Sequence, residues 1–171
     1  ALISNYLPVF TKLKGLETTI AATGLTLIGI FNMMGTLISG KISGIIKKKY
    51  VLSFIYFSRS IVIFFLLILP TNNFVVIGFS CLIGLLWLST VPPTSGIVAN
   101  RFGTRYLSTL FGIVMVSHQA GAFFGSFVGG LVIDAYGSLD LAWIMAIVIS
   151  LFSAFIHLPI VEKEKSEEVF A

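Results

Sequence analysis

Five stretches of this chain are apolar for about 20 residues or more, and the connections between them are too short to hold a soluble domain. Read as helices, they fall at about 18–44, 50–69, 74–99, 106–133 and 141–161. A helix of that length crosses ~30 Å of hydrocarbon at ~1.5 Å per residue. Lipid offers the backbone no partner, so each amide must be satisfied within its own segment, and helices are the structure such runs can adopt. The expected fold class is therefore all-α, a polytopic helical bundle in a membrane. Composition agrees: 11% of residues are charged, against about 25% in soluble domains, and mean hydropathy is +1.03.

The ends are different. Residues 1–10 are apolar but too short to span, with no basic leading region and no small-residue cleavage site, so they do not read as a signal peptide. They read as the end of a partial helix, with Pro8 near its exit. Residues 162–171 form a polar tail of mixed Lys and Glu. Cys81 sits alone in an apolar run, where it reads as a small hydrophobe.

Basic residues give an orientation. Lys41, Lys47, Lys48, Lys49, Arg101, Arg105, Lys163 and Lys165 fall in connections that alternate to one side, while Lys12 and Lys14 fall on the other. The richer side is expected to be cytoplasmic, with the C-terminus there too. Cations at span ends do not make one basic patch, so the net charge of +4 does not point to nucleic acid.

Arg59 belongs to neither set. It lies about 14 and 16 Å from the two ends of its predicted span, at ~1.5 Å per residue. A central arginine costs roughly 2.5–3.5 kcal/mol on insertion, and no Asp or Glu lies inside any predicted span to pair with it. Two roles remain open. One is a guanidinium that binds a substrate carboxylate bidentately; the other is a structural arginine bonded to the carbonyls of a broken helix.

The fourth span carries a second constellation. Gly121, Gly125 and Gly129 recur every four residues, followed by Gly130, and so form a smooth stripe suited to close helix packing. His118 lies three residues before Gly121 on nearly the same face, as a proton relay, a substrate hydrogen-bond partner or a neutral group bonded to a neighbouring helix. Gln119, turned about 100° away, could line a cavity or pin a neighbour. Asn32 and Thr94 are further pathway candidates; Asn32 also suits an interhelical hydrogen bond. His157 reads as interfacial. In the third span, Pro92 and Pro93 remove two backbone donors and clash with the carbonyls of Leu88 and Ser89, so a break is expected there. Broken helices in membranes line cavities or pack inside protein.

These residues converge on a known family. Gly121-x-x-x-Gly125-Ser126-x-x-Gly129-Gly130 resembles the g-x-x-x-G-P-x-x-G-G motif of the major facilitator superfamily, with Ser126 in place of the motif's proline. The stretch from Gly40 to Lys49 is similar to a decayed copy of the superfamily's G-x-x-x-D-R-x-G-R-R loop: Gly40, Lys48 and Lys49 match, and Gly44 replaces the acid. The resemblance covers essentially the whole chain, from the end of the family's helix seven through helix twelve. Its flavour is that of bacterial monocarboxylate and oxalate/formate porters. It implies the C-terminal six-helix half of the fold with its first helix truncated, and a substrate held at midplane between two halves. The family's cavity is lined mainly by helices seven, eight, ten and eleven, which favours His118, Asn32 and the Pro92–Pro93 region over Arg59.

The expectation is a fragment of a secondary transporter in the bacterial inner membrane. Its substrate would be a small, anionic solute, a carboxylate, with H⁺ as a candidate coupling ion and a missing N-terminal half or a second copy as partner. A drug/proton antiporter of the same superfamily and a non-transporting scaffold or half-unit are the alternatives. No cofactor or metal is implied. An enzyme is not expected either: Asp134 and Asp140 have no catalytic partner nearby in the sequence.

Overall fold

A computed structural model describes residues 2–162, and every regular element in it is an α-helix: α1 (Leu2–Leu13), α2 (Thr18–Ile45), α3 (Lys48–Ile68), α4 (Asn73–Leu86), α5 (Val91–Phe102), α6 (Leu107–Tyr136) and α7 (Asp140–Ile156). Four segments are long and apolar enough to cross a membrane: α2, α3, α4–α5 taken together, and α6. The fifth, α7, is shorter. It ends at Ile156 rather than near 161, because Pro159 disfavours helical backbone at Leu158. The expected tail from Lys163 onward, with Lys163 and Lys165, lies outside the described residues.

Two further boundaries differ from the sequence reading. The chain does not leave the first helix at Pro8: α1 runs on to Leu13, with the Thr11 hydroxyl donating to the Pro8 carbonyl at 3.0 Å. At the other boundary, α6 extends through Asp134 to Tyr136. Gly137 then adopts φ +64°, and its N–H donates to the Ile133 carbonyl at 2.8 Å. That left-handed cap suits glycine.

The packing is pairwise. α2 lies along α4 and meets α5, while α3 lies along α7 and also touches α4 and α5. α1 bridges α2 and α6. Without a hydrophobic drive between helices in lipid, close van der Waals approach holds such pairs. The α2–α4 seam shows it best. A methyl group built on Gly35 would lie 2.0 Å from the Leu85 carbonyl oxygen, and one on Gly84 would lie 2.8 Å from that of Ile28. One apolar cluster joins all the long elements. Trp143 of α7 is fully buried between Phe10 and Phe79, with ring centroids 5.9 and 6.3 Å away in edge-to-face arrangements.

After α7 the chain returns to the start of α3. The Glu162 carboxylate accepts from the backbone N–H groups of Lys48 and Lys49 at 3.1 and 2.7 Å, so the segment after α7 caps the start of α3. An anion there also complements the helix dipole. Phe10, Lys14 and the Gly137–Asp140 turn gather around a small pocket between α1 and the α6–α7 connection.

Candidate functional site

The break between α4 and α5 organises the site. Pro92 and Pro93 do not kink a continuous helix; they sit in the first turn of α5, where a missing N–H costs little. The disruption falls upstream, over Trp87–Thr90. There the Trp87 N–H reaches only to Gly84, and the Val91 N–H only to Leu88. Helical bonding resumes with Thr94 N–H to the Thr90 carbonyl at 3.1 Å, reinforced by the Thr94 hydroxyl to the same oxygen at 2.6 Å.

The groups this break exposes are taken up by neighbouring helices. Arg59 of α3 donates through Nη2 to the carbonyls of Leu86 and Trp87, the latter at 3.0 Å. Asn32 of α2 accepts from the Leu88 N–H at 2.9 Å. The Ser39 hydroxyl donates to the Ser89 carbonyl, and the Ser89 hydroxyl to that of Leu85. An unsatisfied backbone group in hydrocarbon costs several kcal/mol. Polar side chains on α2 and α3 therefore make the broken segment tenable at this depth.

Of the two roles open to Arg59, the bonding to a broken helix is the one present. A carboxylate fork uses Nη2 together with Nε or Nη1, and here Nη2 is already bonded to two carbonyls. A bidentate carboxylate is therefore not available to Arg59 in this arrangement. Its Nε is buried and makes no hydrogen bond. The guanidinium carbon stands 5.1 Å from the ring centroid of Tyr56, one helical turn earlier, which adds a cation–π contact.

Arg59 also lines a cavity of about 710 Å³ between α3, α6 and α7, with Leu2 and Ile3 of α1 and Trp87 and Leu88 of the break at its margin. His118 and Ser117 of α6 line the same space, as do Gly121 and Gly125. Two sequence candidates, Arg59 and His118, are thus brought to one cavity. The others are not: Gln119 is exposed and off the cavity wall, Asn32 is engaged at the break, and Thr94 is bonded within α5.

The glycine stripe divides in the same way. A methyl on Gly121 or Gly125 would meet nothing within 4 Å, so these two face open room and not a close-packed neighbour. Close approach occurs at Gly129, where a methyl would fall 2.7 Å from the Tyr6 ring, and at Gly130, 3.1 Å from the Tyr6 hydroxyl. Ser126 anchors this contact. Its carbonyl accepts from Tyr6 Oη at 2.8 Å, and its Oγ from Asn5 at 3.1 Å.

The basic residues lie apart from the cavity. Lys47, Lys48 and Lys49 begin α3, Arg101 ends α5, and Arg105 stands before α6 with its guanidinium 5.2 Å from the Tyr106 ring. His157, next to the end of α7, stacks on Tyr56 at 5.1 Å. Tyr56 and Ser117 were not among the candidates read from sequence. The signal for each was position, since Tyr56 lies one turn from Arg59 and Ser117 adjoins His118.

Residues 1–170 match the family model described as Major Facilitator Superfamily. A curated relative from Bacillus subtilis (strain 168), an uncharacterized MFS-type transporter named YcxA, is 26% identical over 146 residues. That match covers 82% of this chain but 36% of the relative, so the chain spans little more than a third of the protein it matches.

Proposed function

The chain belongs to the major facilitator superfamily, and from that premise we propose that it forms part of a secondary active transporter for a small organic anion, a carboxylate. It is an integral membrane, all-α bundle. The observation that carries the reading is the meeting of Arg59 and His118 at one cavity inside a bundle of spanning helices. Arg59 supplies a fixed positive charge there. His118 supplies an imidazole, a side chain that can both donate and accept a hydrogen bond there, and H⁺ is the coupling ion of the proposal.

The chain corresponds to the C-terminal six-helix half of the fold, and a second half completes the pathway. The side bearing Lys47–Lys49 and Arg101 faces the cytoplasm of a bacterial cell, with the C-terminus there as well. Export of cationic drugs in exchange for protons is disfavoured by the cavity wall, on which no Asp or Glu stands among the described residues. Catalysis is not part of the reading.

The test uses the complete gene product in proteoliposomes, with uptake of radiolabelled carboxylates followed under an imposed proton gradient. Arg59→Ala and His118→Ala are each expected to reduce uptake severalfold. Unchanged uptake of every accepted anion in both variants would remove these two residues from the pathway.

A further inference from the structure

We infer that α6 is a movable arm: pivoting where it meets α1, it closes its glycine face onto α7 and collapses the cavity between them. The inference concerns the motion of the cavity wall and holds whichever solute the cavity takes.

Two stripes of small residues face each other across the cavity. Ser117, Gly121 and Gly125 on α6 recur every four residues and line it. Ala142, Ala146 and Ser150 on α7 recur at the same interval and line it from the other side. The two helices are joined only by the turn at 137–139, which makes them antiparallel neighbours and sets their register. Gly125 lies 11 residues before the end of α6, and Ser150 lies 10 residues after the start of α7. At ~1.5 Å per residue the two stand at matching depth, and Gly121 comes level with Ser153 in the same way.

Matching small-residue faces are what lets helices pack closely in lipid. Here the faces are apart. A methyl on Gly121 or Gly125 meets nothing within 4 Å, and about 710 Å³ of space separates α6 from α3 and α7. Both stripes lie on the wall of this inner space, so a neighbour outside the chain does not account for them. Phe124 and Val128 of α6 and Met145 and Ile149 of α7 also line the cavity, and they supply the bulk that fills it as the backbones approach.

The arm is held near one end. Tyr6 and Asn5 of α1 bond to Ser126, and a methyl on Gly129 would fall 2.7 Å from the Tyr6 ring. The buried residues of α6 are Gly129 and Val132; from Ser126 back to Leu107 the helix has none. Its other end joins α5 through Gly103 at φ +77°, where a methyl again meets nothing within 4 Å, a joint suited to changes of backbone angle. Ser117 lies ~18 Å along the axis from Gly129, so a swing of ~15° about the α1 contact carries it ~5 Å toward α7. His118 rides on the moving segment, whereas Arg59 is held to the helix break. Closure therefore changes the separation of these two groups.

The experiment uses the complete protein in nanodiscs, with its native cysteines, Cys81 included, replaced by serine. Two facing pairs are introduced, Gly125→Cys with Ser150→Cys and Gly121→Cys with Ser153→Cys. Each is oxidised with copper phenanthroline, and disulfides are read by mass spectrometry of peptides with and without reductant. A disulfide brings the Cβ atoms to ~3.5–4.5 Å, and a Cβ on either glycine has no atom within 4 Å in this arrangement, so bonding reports approach. Phe123→Cys with Ser150→Cys is the control, since Phe123 is exposed and off the cavity wall. At least one facing pair is expected to bond about fivefold faster than the control or more. Control-level bonding in both facing pairs overturns the inference. A second measurement places spin labels at Thr109 and Phe155, two exposed positions toward the free end of the arm. The distance distribution from electron double resonance should contain a shorter population that Gly121→Leu/Gly125→Leu removes by wedging the faces apart. Identical distributions also overturn the inference, and the cysteine pairs decide alone should the leucines prevent folding. Neither measurement reads transport of a carboxylate, so failure here leaves the proposed function standing.

Discussion

Arg59, midway along α3, donates through Nη2 to the carbonyl of Trp87 at 3.0 Å, at the residue where α4 ends. A cation that costs roughly 2.5–3.5 kcal/mol to place at mid-depth is thereby set against carbonyls that would be equally costly left bare. Each solves the other's problem. The C-terminal end of α4 also carries partial negative charge, which a guanidinium complements.

Removing that guanidinium should therefore destabilise the fold as well as alter the cavity. Arg59→Leu leaves the Leu86 and Trp87 carbonyls without their donor, at an expected cost of about 1–3 kcal/mol. Thermal unfolding of the purified protein in detergent, followed by circular dichroism, would register a lower midpoint. An unchanged midpoint would mean that other donors satisfy those carbonyls.

Asn32 serves the same break from the opposite helix. Asn32→Leu strips the acceptor from the Leu88 N–H and should cost about 1–3 kcal/mol, whereas Asn32→Asp keeps an oxygen in place and should cost less. The Arg59→Leu/Asn32→Leu double variant should fall short of the sum by ~0.5 kcal/mol or more, since both act on one four-residue segment. Strict additivity in a double-mutant cycle would separate the two roles.

The α2–α4 seam makes a sharper contrast. Gly35→Ala would set a methyl 2.0 Å from the Leu85 carbonyl oxygen, and backbone on both helices would have to part. The expected loss is about 1–3 kcal/mol or more. Gly29→Ala on the same helix meets nothing within 4 Å and should be neutral or slightly favourable. Comparing monodisperse yield by size-exclusion chromatography would distinguish them, and equal yields would contradict the seam.

At the basic end, Glu162→Ala removes the carboxylate that caps the first N–H groups of α3. Capping losses run about 0.5–2 kcal/mol. Hydrogen exchange at Lys48 and Lys49 should rise while exchange near Ile63 stays slow. Unaltered exchange at the two lysines would show that the cap contributes nothing to the helix start.

Much of this architecture was legible in the residues. Spans are written by apolar length, so α2, α3 and α6 begin within two residues of the sequence reading and end within three. Arg59 stood out because hydrocarbon penalises charge, and bonding to a broken helix was one of its two readings. The details that depend on contact between distant segments were not legible. Pro92 and Pro93 mark the break, and the gap at Trp87–Thr90 contains the Leu88 and Ser89 expected from them; that Arg59 and Asn32 would bond to this segment depends on the neighbouring helices. The glycine period on α6 matches a close-packing face. Whether a neighbour approaches Gly121 or stops at Gly129 is decided by Tyr6 and Leu2, more than 100 positions away. Glu162 looked like part of a solvated tail, since nothing local ties it to Lys48.

The arginine and the carbonyls that accept from it lie on consecutive spans, joined only by the short turn at 69–72. A chain threading into the bilayer from its N-terminal side would bring α3 in first and strand its cation until α4 followed. Entry of α3 and α4 together, as a single hairpin, avoids that interval. Lengthening the turn should then slow membrane integration even though the finished fold keeps every bond.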